Sequence, residues 1–155
     1  MFRVLKAERA RRSAVAVILP FVDSSRAKRE IPDSLWFDPY FVGFLSMAIT
    51  LTASRKVRSL SNDDLASVQS KSWATITGLR SELIGGEICS LSAAHDERFE
   101  IGCRNALAFL QELQSEIGPD LYPEDADDRE QQARAALWAR HFDSYVSEYL
   151  SIYMR

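Results

Sequence analysis

The chain has 155 residues, 46% of them hydrophobic and 26% charged, with six glycines, five prolines and a formal net charge of −3. That balance excludes intrinsic disorder, which couples few apolar residues to high net charge, and it excludes collagen-like and disulfide-scaffold chains. A single domain of this length buries roughly 68–70% of the surface its unfolded chain exposes, enough for a core without metal or disulfide support.

Charge is unevenly distributed. Residues 1–30 carry eight Lys and Arg against three acids, whereas the remainder carries eleven against nineteen. The basic segment, with Arg3, Lys6, Arg9, Arg11, Arg12, Arg26, Lys28 and Arg29, is expected to lie on the acidic body of its own chain or of a partner subunit. The sharper alternative is a basic arm for nucleic acid or an anionic lipid surface. Basic residues followed by Ala14–Leu19 imitate an export signal, but the apolar run is short, Pro20 and Asp23 interrupt it, and no small-x-small cleavage site follows. Arg11-Arg12 is a poor twin-arginine match. Cys89 and Cys103 fit neither a disulfide framework nor a Cys-x-x-Cys signature, so a reducing, cytoplasmic setting is expected.

A first helix is predicted over residues 2–19, ended or bent by Pro20, with a polar connection from Phe21 to Pro32. The second begins at Asp38, an N-cap, with Pro39 at the first helical position. Phe37, Phe41, Phe44, Ala48 and Leu51 form one apolar face, Val42, Leu45 and Ile49 a second, and Gly43, Ser46, Thr50 and Ser54 a stripe of small residues that lets another helix approach closely. The uncharged run from Pro39 to Ser54 is too short to span a bilayer and reads as a buried central helix. Ser61 caps a third helix with Leu65, Val68, Ser72, Ile76, Leu79 and Leu83 inward and Gly85-Gly86 as its stop. Residues 93–117 carry a seam of Phe99, Cys103, Ala106, Leu110, Leu113 and Ile117, closed by Gly118-Pro119. An acidic loop over residues 119–128 leads into a last helix, about residues 125–154, marked by Ala135, Trp138, Phe142, Tyr145, Tyr149 and Ile152. The expected fold is an all-α single domain, an irregular bundle of about five helices.

Catalytic signatures are missing: no glycine-rich phosphate loop, no His-Glu-x-x-His, no Gly-x-Ser-x-Gly and no EF-hand loop. The densest polar cluster is His95, Asp96 and Glu100, where two carboxylates on one helical face could hold a hard cation, though a solvated helix start explains them as well. Cys89, His95 and Cys103 match no zinc spacing. His141 could titrate near neutral pH but has no evident nucleophile or acid beside it. No cofactor is expected. The aromatic ladder of the last helix, Trp138, Phe142, Tyr145, Tyr149 and Tyr153, serves either as core against the second helix or as an interface, because rings with a polar edge suit both.

The expected function is a small non-catalytic interaction protein that self-associates or docks a protein partner through that aromatic face. A ligand- or metal-binding bundle, and a nucleic-acid or anionic-surface binder using the basic segment, are the alternatives.

Overall fold

A computed structural model describes residues 1–119, 121 and 126–154. Among them the chain is all helix and turn: α1 (Phe2–Lys28), α2 (Pro39–Lys56), α3 (Asn62–Thr77), α4 (Ile84–Ala93), α5 (Glu97–Ile117), α6 (Asp128–Trp138) and α7 (Ser144–Tyr153), with no strand. A π-turn over Ala139–Asp143 joins α6 to α7, so the last two segments form one rod and the bundle has six helices. Asp33–Phe37 and Ser81–Leu83 are short 3₁₀ turns.

Helix α2 is the centre, packed against α1, α3, α4 and above all α5. Asp38 caps it by accepting the Tyr40 N–H at 3.0 Å, beside Pro39 at its first turn. Burial runs almost all round it, from Tyr40 to Ala53. The small-residue stripe works through Gly43 and its counterpart on α5, Gly102, which sequence periodicity passes over. A Cβ on Gly43 would stand 2.2 Å from the Phe99 carbonyl oxygen, and one on Gly102 would stand 2.1 Å from that of Tyr40. Two backbones therefore meet where each helix has no side chain. Ser46 and Thr50 return their hydroxyls to the carbonyls of Gly43 and Ser46, and Gln69 of α3 donates to Thr50 at 2.7 Å.

Three boundaries differ from expectation. Helix α1 continues through Pro20 to Lys28. Pro20 lies on the exposed side, where water can satisfy the carbonyl that loses its donor, while Phe21, Val22 and Ser25 are buried and hold the continuation in place. Helix α3 stops at Gly78 rather than at Gly85-Gly86, because Gly78 adopts φ 79°, the left-handed conformation that closes a helix, and Thr77 Oγ1 accepts the Leu79 N–H beyond it. Gly85 and Gly86 instead sit inside α4, an additional helix with a single buried residue, Ile84. The predicted start of α5 at residue 93 also moves: His95 takes φ 50°, and Asp96 begins the helix by accepting the Phe99 N–H at 2.9 Å. The predicted acidic loop lies mostly outside the described residues. No helix among the described residues is long and apolar enough to cross a membrane.

Adding a methyl at the α2–α5 contact should be costly. Gly43→Ala and Gly102→Ala are each expected to remove about 3 kcal/mol of stability or to prevent folding, since backbone atoms cannot step aside. Gly86→Ala, an exposed helical position whose Cβ would meet nothing, should add about 0.5–1 kcal/mol. Urea denaturation of the three variants checks both signs.

Candidate functional site

The aromatic ladder faces inward. Trp138, Phe142 and Tyr149 are buried, Tyr145 is half-buried, and only Tyr153 is exposed. Trp138 stacks on Phe142 at 4.3 Å and on Phe21 of α1 at 5.1 Å, while Tyr145 lies flat against Tyr40 of α2, with ring centres 3.8 Å apart. This corrects the expectation of an open ring-lined surface: these rings fill the space between α1, α2 and α5. Tyr145 and Tyr149 are thus folding residues, and substituting them would report on stability rather than on association.

The π-turn supplies the unusual geometry. His141, Phe142 and Asp143 are buried in succession, which a regular helix cannot achieve on one face, and the wider turn directs them to different neighbours. Asp143 faces α1, where its carboxylate accepts the Ser25 hydroxyl at 2.5 Å and meets Lys28 at 2.9 Å; Trp138 donates its indole N–H to the same Ser25. The carbonyl of His141 accepts the Tyr40 hydroxyl at 2.5 Å. Burial pushes that hydroxyl well above the usual tyrosine range, so it remains a donor. Asn105 of α5 donates to both Tyr40 and Tyr145. His141 Nε2 is 3.5 Å from a Glu112 carboxylate oxygen and hydrogen-bonds nothing, while Arg140 binds the other oxygen of Glu112 at 3.1 Å. Every element touching the π-turn is pinned to it by a polar group. Ser25 and Asp143 hold each other and no histidine completes them, so the cluster fastens rather than reacts.

The basic segment divides. Arg26, Lys28 and Arg29 turn inward, to the Ile76 carbonyl, to Asp143 and to Ser147. Arg26 also lies over the Trp36 ring. Arg3 pairs with Asp64 at 2.8 Å, Lys6 reaches Ser59, and Arg11 and Arg12 share Glu8, whose carboxyl their hydrogen bonds hold down to about 2. The eight cations therefore form no single patch, and much of their charge is met by the protein itself. What remains outward is one stripe of α1 at three- and four-residue spacing: Phe2, Leu5, Arg9, Arg12 and Ala16, all exposed.

Beside it, α1 and the end of α2 enclose a continuous cleft. Its outer part, about 400 Å³, is lined by Leu5, Glu8, Arg9, Arg12, Ser13, Ala16 and Lys56. Its inner part, about 200 Å³, shares Ser13 and Lys56 and adds Val17, Thr52, Arg55, Pro119 and Leu121. The acidic candidates separate: His95 Nδ1 lies 3.3 Å from Glu100, whereas Asp96 is occupied as the α5 cap. Among the described residues no group of three or more His, Cys, Asp and Glu gathers to hold a metal ion. Cys103 contacts the Gly43 carbonyl and burial pushes its thiol up to about 11, while Cys89 is exposed on α4. The cleft, and the roles of Asp143, Asn105 and Gly102, escape a reading of sequence alone. The clue to Asp143 was its place directly after two other inward residues.

Asp143→Ala should strand the Ser25 hydroxyl and Lys28 and cost about 2–3 kcal/mol, measurable by thermal or chemical denaturation. Removal of Lys28, whose ammonium is half exposed, should cost far less.

No family model, no curated protein and no solved structure matches this chain.

Proposed function

We propose that this protein is a non-catalytic helical docking module whose partner is an anionic membrane surface, engaged by the outward stripe of α1. The carrying observation is the order of side chains along that stripe. Phe2 and Leu5 are 84% and 60% exposed, with Val4 beside them at 72%, and Arg9 and Arg12 follow within about 15 Å of helix. Apolar groups that enter the acyl boundary, backed by cations at headgroup level, are the pattern of a helix that lies on a bilayer without crossing it. Lys6 flanks the stripe, and Lys56 lines the cleft beside it. Anionic lipid is the chemistry of the cytoplasmic leaflet, which agrees with the cytoplasmic setting proposed from the two unpaired cysteines. The acidic remainder of the chain disfavours tight non-specific binding to nucleic acid.

The full chain should sediment with phosphatidylcholine vesicles containing 30% phosphatidylserine at low salt and release as salt rises, because charge attraction is screened within about a Debye length. Phe2→Ser with Leu5→Ser, and separately Arg9→Gln with Arg12→Gln, should each weaken binding about tenfold or more. Equal binding to uncharged vesicles, or none at low salt, overturns the reading. Binding to duplex DNA in the absence of vesicle binding marks the nucleic-acid alternative.

A second reading keeps the protein partner. Ile152, Tyr153 and Met154 are each more than half exposed at the end of α7, and Tyr153 continues the ring series by packing on Tyr149 at 4.7 Å. Self-association through this tip predicts a solution mass above the monomer that falls to monomer in Tyr153→Ser, with thermal stability unchanged.

A further inference from the structure

The cleft between α1 and α2 is furnished almost entirely with groups that donate to anions. Four cations line it, Arg9 and Arg12 from α1 and Arg55 and Lys56 from the last turn of α2. Its one acid, Glu8, is already bound through both carboxylate oxygens by Arg11 and Arg12, and so is a weak competitor for the remaining guanidinium donors. On the inner wall stands Thr52, which is 3% exposed and whose hydroxyl has no hydrogen-bond partner. This is an anomaly on α2, since Ser46 and Thr50 both return their hydroxyls to carbonyls of their own helix. A buried hydroxyl without a partner is costly, and such a group lining a cationic cleft marks the position of a ligand atom.

We propose that this cleft binds a phosphate group, as the dianion of a phosphate monoester. Arg supplies forked donors that match phosphate oxygens, Lys adds a point charge, and Thr52 supplies a short donor on the inner wall. The inner chamber of about 200 Å³ accommodates a phosphate with room for water around it. The C-terminal end of α2 opposes an anion with a partial charge of about −0.5, but four unit positive charges against one occupied carboxylate outweigh it. Leu5, Arg9 and Arg12 belong both to this cleft and to the outward stripe of α1. The inference therefore deepens the docking reading by naming a headgroup chemistry, and it rests on that reading only for the source of the phosphate.

Titration of the full chain with inorganic phosphate at constant ionic strength, followed by thermal shift and by amide NMR, tests the cleft without any membrane. Saturable binding centred on residues of α1 and α2 is expected, and non-saturating or absent response overturns the proposal whatever the vesicles do. Thr52→Val keeps the shape of the side chain and removes an unpaired hydroxyl, so its stability without phosphate should be equal or higher while its phosphate affinity falls about tenfold. Unchanged affinity in Thr52→Val and in Arg55→Gln also overturns it. Vesicles then distinguish the source. Preference for phosphatidic acid over phosphatidylserine, lost in Thr52→Val, assigns a lipid monoester, whereas saturable phosphate binding with no such preference supports the cleft and assigns a soluble phosphorylated ligand. Failure on phosphatidylserine vesicles alone removes membrane docking and leaves the cleft standing.

Discussion

The backbone contact between α2 and α5 governs this fold. At Gly43 and Gly102 two helices approach until the carbonyls of Phe99 and Tyr40 occupy the places where side chains would stand. That proximity brings Tyr40 and Asn105 within hydrogen-bonding reach of each other, sets Phe44 against Phe109, and leaves a groove that the last rod fills with Trp138 and Phe142. Apolar burial supplies most of the favourable free energy, but it is non-directional. The glycines decide which packing that burial selects.

Around this axis the polar groups act as fasteners of orientation. Ser25 and Lys28 hold Asp143, Tyr40 holds the His141 carbonyl, and Arg98 of α5 reaches both Asp38 at the start of α2 and Glu148 on α7. Each joins elements far apart in sequence. A buried hydrogen bond adds about 1 kcal/mol, but leaving its partner unpaired costs more, so such groups discriminate against a slipped rod more strongly than they stabilise the correct one.

Local signals were legible. Caps at Asp38, Ser61 and Asp96, the charge-free α2 and the α5 seam follow from short-range chemistry, and they place four of the helices. Features that depend on tertiary contact were not. Pro20 looked like a stop because the packing of Phe21 and Val22 that carries α1 past it lies in other helices. Gly85-Gly86 looked like a stop because the left-handed turn at Gly78 came earlier. The aromatic ladder could not be divided into core and surface, since the same rings suit both, and only the presence of Tyr40 and Phe44 opposite decides it. The basic segment misled in a related way: composition counts charges, but it cannot show that Asp143, Asp64 and Glu8 meet most of them, leaving a narrow stripe and the cleft beside it.

The π-turn has a further consequence for how this chain tolerates change in length. It holds one residue more than a regular helical turn would, and that surplus sets the rotational phase of everything beyond Asp143. Deleting a single residue between Ala139 and Asp143 would let the rod relax to ordinary winding and swing α7 by about 100°. Tyr145 and Tyr149 would then turn out to water and Ser147 and Glu148 towards the interior, so an indel here acts as a crank on the whole C-terminal arm, whereas one in the turn before α4 is absorbed locally.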